Sequence, residues 1–203
     1  MKQVTSDDSR AGPSGAILQE GRNCGTIARA DRAAVLVDGA AYFAALRRVL
    51  LAARCSVMIL GWDFDAQVAL TPGNGEAEVL GVLLRPLVEE RPELEVRVLV
   101  WILGTLHGPG AAAPLVFGAA WHEHPRIQVR LDSRHPIYAA QHQKIVCVDS
   151  IAFVGGIDLT IERWDTESHA CEDPGRTNPD GSAYRAVHDL PRMIDGGAAP
   201  PVR

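Results

Sequence analysis

The amino-acid sequence predicts an α/β fold in which helices sandwich a mixed β-sheet. Apolar runs of strand length alternate with segments whose apolar residues recur every three or four positions. Short turns join most of these segments, as in layered α/β folds. The 203 residues, 47% of them hydrophobic, suffice for one packed core. We therefore expect a single domain over residues 26–203, preceded by a polar tail over residues 1–25 that lacks periodicity and is disordered.

The first predicted elements alternate between helix and strand. Residues 38–54 have apolar side chains at helical spacing, and Asp38 is suited to cap the helix start. Residues 56–62 (SVMILGW) form a short apolar run typical of a strand covered on both faces. Helical spacing returns over residues 76–90, and residues 94–103 begin with alternation and end fully apolar. The order is therefore helix, strand, helix, strand.

The elements that follow are shorter. Residues 111–120 are suited to a third helix, and residues 127–131 (IQVRL) to a further strand. Beyond Trp164 the composition shifts to Asp, Pro, Gly, Asn and Ser, which predicts a long loop. A short strand is expected after this loop, around residues 188–194.

Charge and composition narrow the class of protein. The net charge of −5 gives no overall basic surface, so we expect no stable binding to nucleic acid. No apolar run approaches the roughly 20 residues of a membrane span, and no signal peptide is evident. We expect a cytoplasmic protein. A basic helix face with Arg47, Arg48 and Arg54 allows peripheral contact with anionic lipid headgroups.

The residues that point to chemistry lie at the start of a predicted hairpin. Its strands, residues 144–148 and 151–154, are separated only by Asp149 and Ser150. His142 and Lys144 stand two residues apart at the first strand, where positions i and i+2 share a face. A neutral imidazole can attack phosphorus, and a neighbouring ammonium can offset charge on the non-bridging oxygens.

Three residues near this pair fit two roles: two glycines could approach a phosphate, and an aspartate could stabilise the turn. Gly155 and Gly156 follow the hairpin, where backbone N–H groups without side chains could approach a bound phosphate. Asp149 ends the first strand, and its simplest role is to bond turn backbone groups and fix the hairpin register.

Local sequence also permits plain structural interpretations. A lone His-x-Lys pair is more often a solvated surface pair, and a Gly-Gly pair is more often an ordinary turn. His122 and His124 alternate, but no third ligand stands at metal-binding spacing, so we expect no metal site. Trp62 fits the core, with Asp63 and Asp65 capping the turn that follows.

In context, the pattern His-x-Lys, four residues, Asp and then Gly-Gly resembles the HxKxxxxD (HKD) signature of the phospholipase D superfamily. Longer segments are similar to the amino-terminal half of bacterial phospholipase D-like and cardiolipin synthase-like proteins. They are VDGAAYFAALRRVLLAARCSVMILGWDFD (37–65), SRHPIYAAQHQK (133–144), GGIDLTIERWDT (155–166) and VHDLPRMIDG (187–196). The resemblance covers residues 27–196.

The resemblance implies a phosphodiesterase or transphosphatidylase that acts on phospholipids through a phosphohistidine, without metal or cofactor. His142 matches the family's nucleophile, Lys144 its phosphate ligand and Asp149 its motif aspartate. By the same resemblance, substrate-binding positions are Gly155, Gly156, Asp158 and Asp165, the last of which could pair with an imidazole across the site.

Two departures from the family pattern leave alternatives open. Five residues separate Asp149 from Gly155, one fewer than is usual, so the register beyond the turn is in question. The family builds its site from two motifs, with the second histidine as general acid, whereas this sequence has one His-x-Lys pair. We therefore expect a homodimer or a separate second HKD half. The alternatives are a homodimeric HKD endonuclease and a truncated, catalytically incomplete fragment.

Overall fold

The computed structural model describes residues 2–4, 17–72, 78–101, 120–136, 139–178 and 180–184. The chain divides into two compact units, Met1–Val37 and Asp38–Arg203. The second unit contains a five-stranded sheet with helices packed against it. This arrangement confirms the predicted α/β class with a mixed sheet.

The first unit contains short pieces of regular structure, and the tail predicted over residues 1–25 stays a prediction. Strand β1 (Lys2–Val4) pairs antiparallel with strand β2 (Ala33–Val35). A turn at Gln19–Asn23 is closed by the Asn23 N–H, which donates to the Gln19 carbonyl at 3.0 Å. A three-residue strand is too short to show a period of two, so the sequence pattern gives no sign of this pairing. The remaining residues of the predicted tail before Ile17 lie outside the described part of the chain.

The sheet of the second unit is mixed, in the order β5-β4-β3-β6-β7. Its strands are β3 (Ser56–Gly61), β4 (Glu95–Trp101), β5 (Ile127–Asp132), β6 (Ile145–Val148) and β7 (Ile151–Val154). Strands β3, β4 and β5 are parallel, whereas β6 runs antiparallel to β3 and to β7. The carboxyl ends of β3, β4 and β5 therefore meet the start of β6 at one edge of the sheet, which we call the carboxyl edge.

Two helices and the sheet together supply most of the core of the described residues. Helix α1 (Asp38–Ala52) buries Phe43, Leu46 and Leu50 completely. In helix α2 (Leu80–Glu90) the buried side chains recur at four-residue spacing, and burying one such leucine contributes about 2 kcal/mol. Buried apolar side chains alternate along β3, β4 and β6; they are Val57, Ile59, Val96, Val98, Val100, Val146 and Val148. A short 3₁₀-helix (Ala120–His122) precedes β5.

Helix α2 begins later than the sequence pattern predicts. The expected range was 76–90, but Val79 is extended and forms an antiparallel bridge with Ala69. The N–H of Leu80 donates to the Val68 carbonyl at 3.0 Å. A neighbouring segment of the chain therefore accepts N–H groups from the first turn of the helix. The spacing of apolar residues gives no sign of such a contact.

The start of α1 is stabilised from a distant part of the chain. The Ala40 N–H donates to the Asp165 carbonyl at 2.8 Å, and a Cβ at Gly39 would lie 2.2 Å from the Arg163 carbonyl oxygen. Asp38, the predicted cap, has a φ of 63°, and its Oδ2 lies 3.4 Å from His169 Nε2. Glycine is required at position 39 because the two backbones approach this closely.

Several predictions fall near or beyond the described residues. The predicted helix over residues 111–120, apart from its last residue, and the strand around residues 188–194 lie outside them. Within residues 164–178 and 180–184 the chain is irregular, apart from an isolated bridge between Thr177 and Ala183, which agrees with the predicted loop. In the part of the chain that the structure describes, each helix is too short or too polar to cross a membrane.

Candidate active site

The candidate catalytic residues lie at the carboxyl edge. Lys144 directly precedes β6, and His142 stands two residues before it. Trp62 follows the last residue of β3, and Trp101 is the last residue of β4. Antiparallel pairing of β6 with β3 brings these four residues to the same end of the sheet.

The imidazole of His142 is exposed and contacts an indole ring. Its centroid lies 6.1 Å from that of Trp62, with the two planes at 61°, an edge-to-face arrangement. None of the described residues makes a hydrogen bond to this imidazole. An exposed ring without a hydrogen bond is free to meet a phosphorus atom.

Lys144 is buried beside a carboxylate. Its Nζ lies 3.0 Å from Asp158 Oδ2, and the two side chains are 8% and 5% exposed. The contact lacks the angles of a hydrogen bond, and no other described atom accepts a proton from this ammonium. The charge is therefore balanced, whereas the N–H donors are not satisfied.

Asp158 is held by the end of β3. Its Oδ1 accepts the N–H of Trp62 at 3.0 Å and that of Asp63 at 3.3 Å. Burial raises the pKa of Asp63, and the nearby charge of Asp158 raises it further, against a hydrogen bond from the Phe64 N–H. The sequence assigned Asp158 to substrate binding; in the structure its carboxylate binds backbone amides and Lys144.

The two predicted glycines lie next to the lysine. The Gly155 N–H donates to the Lys144 carbonyl at 3.3 Å, and both Gly155 and Gly156 are exposed. A Cβ built on either residue would meet no atom within 4 Å. The open space beside this backbone could hold a ligand.

Asp149 lies at the other end of β6, about 16 Å of strand from Lys144 at about 3.3 Å per residue. Its carboxylate accepts the N–H groups of Arg54, Cys55 and Ser56 at 2.8, 2.9 and 2.8 Å. These bonds, that of Ser56 foremost, hold the pKa of Asp149 below its ordinary value. The structure thus places Asp149 at the turn, apart from His142 and Lys144.

Asp165 belongs to a separate charged cluster. Its Oδ2 lies 3.1 Å from His169 Nδ1, and its Oδ1 accepts Nε–H of Arg176 at 3.1 Å. Burial raises the pKa of Asp165, but the bonds from His169, the Thr166 N–H and Arg176 together hold it below its ordinary value. In the described structure the imidazole beside Asp165 is that of His169, four residues along the chain, and the pairing of Asp165 with an imidazole across the site stays a prediction.

Arg176 is the member of this cluster that the sequence did not indicate. Its side chain is 1% exposed, and its guanidinium also donates to the carbonyls of Ala170 and Cys171. An arginine in a loop rich in Asp, Pro and Gly is ordinarily solvated, so no local signal distinguished it.

Sequence reasoning also missed an aromatic group at the carboxyl edge. Trp62 and Trp101 stack with centroids 5.6 Å apart and planes at 27°. The Trp101 Nε1–H donates to His135 Nε2 at 3.0 Å. Trp62 had been assigned to the core, and a signal could have been found in the tryptophans at the ends of two adjacent parallel strands.

The described residues include no group of three or more His, Cys, Asp or Glu side chains that could hold a metal ion. The Nδ1 of His124 accepts the N–H of Arg126 at 3.2 Å. This bond gives His124 a structural role before β5.

Comparisons with known proteins place this chain in a family. No protein-family model matches the chain. Curated relatives include phospholipase D2 of Bos taurus, 29% identical over 84% of this chain and 18% of that protein. Phospholipase D B of Dictyostelium discoideum is 32% identical over 70% of this chain and 12% of that protein. Phospholipase D of Phytophthora infestans is 30% identical over 68% of this chain and 9% of that protein.

The chain belongs to the phospholipase D superfamily. It spans less than a fifth of the length of each of these relatives.

Proposed function

We propose that the chain contributes a phosphodiester-cleaving site that acts on phospholipids through a phosphohistidine. A nitrogen of His142 attacks phosphorus, so that an N–P bond forms and the P–O bond to the leaving alcohol breaks. A general acid protonates that alcohol, and water or a second alcohol then displaces His142 from phosphorus. Lys144 offsets the charge on the non-bridging oxygens.

The observation that supports this proposal best is the state of Lys144. A buried ammonium with unsatisfied N–H donors is costly, since each lost hydrogen bond to water must be replaced. Phosphate oxygens would accept these donors. The chain has only two lysines, Lys2 and Lys144, among 20 basic residues, so a lysine at this position is also unusual for the composition.

The general acid is proposed to come from a second HKD motif, in another copy of this chain or in a separate half. Of the seven histidines, only His142 has a lysine two residues on. His135 is also at the carboxyl edge, but its two nitrogens face Trp101 Nε1 and the Pro136 carbonyl. It is therefore poorly placed to give a proton to an alcohol.

Turnover tests the nucleophile. Purified chain would be mixed with phosphatidylcholine vesicles and released headgroup measured, with light scattering to give the solution mass. His142→Asn is expected to abolish release, whereas His124→Asn, the same change before β5, should leave it unaltered. Cleavage of DNA in place of lipid, falling steeply with salt, would favour the endonuclease. Full activity in His142→Asn would refute the assignment of the nucleophile.

A binding experiment tests Lys144 without turnover. With lysine labelled at Cε and Nζ, the two side chains should give two NMR signals, assigned with Lys144→Arg. Titration with inorganic phosphate is expected to shift the Lys144 signal saturably and to leave Lys2 unchanged as an internal control. Equal, unsaturable shifts of both signals would mean that Lys144 binds no phosphate.

A further inference from the structure

We infer that His135 is a positioning residue for His142 and acts through the stacked rings of Trp101 and Trp62. The inference rests on the proposed function, because it concerns the orientation of the proposed nucleophile. Four rings at the carboxyl edge contact one another in the order His135, Trp101, Trp62, His142. Each contact constrains the next ring.

The first link fixes the tautomer of His135. An indole N–H only donates, so His135 Nε2, 3.0 Å from Trp101 Nε1, must offer a lone pair. The proton of the neutral ring is then on Nδ1, which lies 3.1 Å from the Pro136 carbonyl oxygen and donates to it. His135 is held at both nitrogens and therefore fixes the direction of the Trp101 indole.

The second link joins adjacent strands. Gly61 of β3 pairs with Val100 of β4, so the residues that follow, Trp62 and Trp101, stand side by side at the carboxyl edge. Their indoles are stacked, with centroids 5.6 Å apart. Because Trp101 is anchored through its N–H, the plane of Trp62 is fixed by the stack as well as by its own backbone.

The third link reaches the nucleophile. Trp62 meets His142 edge to face, and no described residue holds this imidazole by a hydrogen bond. Among the described residues, it is therefore the ring contact with Trp62 that selects the orientation of His142. An aromatic pair of this kind favours one orientation by about tenfold at most. The backbone N–H of Trp62 also donates to Asp158, the partner of Lys144, so one residue contacts both halves of the site.

Two matched variants separate positioning from packing. His135→Gln and His135→Met are similar in length, but glutamine offers the Trp101 N–H a strong oxygen acceptor, whereas the methionine sulfur is only a weak one. In the Met variant we expect kcat on phosphatidylcholine vesicles to fall about tenfold while KM stays within about twofold, because orientation rather than binding is lost. His135→Gln is expected to retain most of the activity. Equal losses in both variants would overturn the inference.

NMR of the 203-residue chain tests the same link without turnover. Long-range ¹H–¹⁵N spectra should show His135 protonated at Nδ1 and accepting at Nε2. The His142 signals should move in His135→Met and stay in place in His135→Gln. A His142 ring insensitive to both variants would overturn the inference even if the proposed function held. An active His142→Asn variant would instead refute the proposed function and leave the ring coupling to stand on its spectra.

Discussion

Asp158 joins Lys144 to the end of β3, with Oδ2 3.0 Å from Lys144 Nζ and Oδ1 accepting the Trp62 N–H at 3.0 Å. The carboxylate thus supplies the countercharge for a buried ammonium and fixes where that ammonium lies. A partner of this kind positions Lys144 and makes the buried charge tolerable in the absence of substrate.

Replacing Asp158 by asparagine tests this pairing. Asp158→Asn keeps an oxygen for the Trp62 N–H but leaves the Lys144 ammonium buried without countercharge. We expect a loss of about 3 kcal/mol in the free energy of unfolding, measured in urea. The double variant Asp158→Asn, Lys144→Met should recover most of it, since no buried charge remains.

A surface pair provides the control for Asp158→Asn. Arg85 Nε lies 2.5 Å from Glu89 Oε1, with side chains 30% and 51% exposed. Glu89→Gln is expected to cost less than about 0.5 kcal/mol. A similarly small cost for Asp158→Asn, with no recovery in the double variant, would show that the two charges are not coupled.

Asp149 provides a second test, because it was assigned to the catalytic motif and lies at the far end of β6. The variant Asp149→Asn tolerates the φ of 49° and loses part of the three-amide contact. We expect the free energy of unfolding to fall by about 1 kcal/mol and kcat to remain unchanged.

The pH dependence of the Asp149 contribution has a definite sign. Its folded pKa is depressed, foremost by the Ser56 N–H, so the stabilisation is present above the unfolded pKa of about 3.9 and is lost as pH falls through the folded value. Asp149→Asn should therefore lose less stability than the wild type in acid urea titrations.

A large fall in kcat of Asp149→Asn at unchanged stability would instead indicate a direct role of Asp149 in catalysis.

A variant at Gly155 can distinguish a backbone that binds a ligand from an ordinary turn. The position has no positive φ and open space for a Cβ, so Gly155→Ala should leave the midpoint of thermal unfolding unchanged or slightly raised. If phosphate approaches this backbone, kcat/KM should fall about tenfold. Unchanged kcat/KM would assign Gly155 to the turn alone.

The local sequence pattern was sufficient to predict the elements of the fold that depend on residues close in sequence. The apolar run at β3, the alternation in β4 and the two-residue turn between β6 and β7 were all predicted within a residue or two of the observed bounds. The same pattern began the strand at Lys144, one residue before β6 begins, so His142 and Lys144 both precede the strand. That a period of two gives them one face stays a prediction.

Contacts between residues that are distant in sequence could not be predicted from the local sequence pattern. Trp101 and His135 are 34 residues apart, and nothing local marks an indole N–H as a donor to an imidazole. Arg176 is buried because Asp165 and two carbonyls accept its protons, a fact of tertiary contact. The late start of α2 also depends on a tertiary contact. The Val68 carbonyl accepts the N–H of Leu80, whereas the spacing of apolar residues had predicted that the helix begins before this residue.

His169 gives the chain a pH-dependent contact. Its Nδ1 lies 3.1 Å from Asp165 Oδ2 and its Nε2 lies 3.4 Å from Asp38 Oδ2, while Arg176 opposes its charge. The bond with Asp165 foremost, and the charge of Asp38, raise the pKa of His169. A raised folded pKa means that the stabilisation is complete below the unfolded pKa of about 6.5 and is lost as pH rises through the folded value.

The variant His169→Asn suits this test because asparagine tolerates the φ of 46° at this position. The melting temperature of the wild type should exceed that of the variant at about pH 5.5, and the difference should shrink steadily towards about pH 9. A difference that stays constant or widens with pH would mean that the charged imidazole does not link the start of α1 to the loop of Asp165.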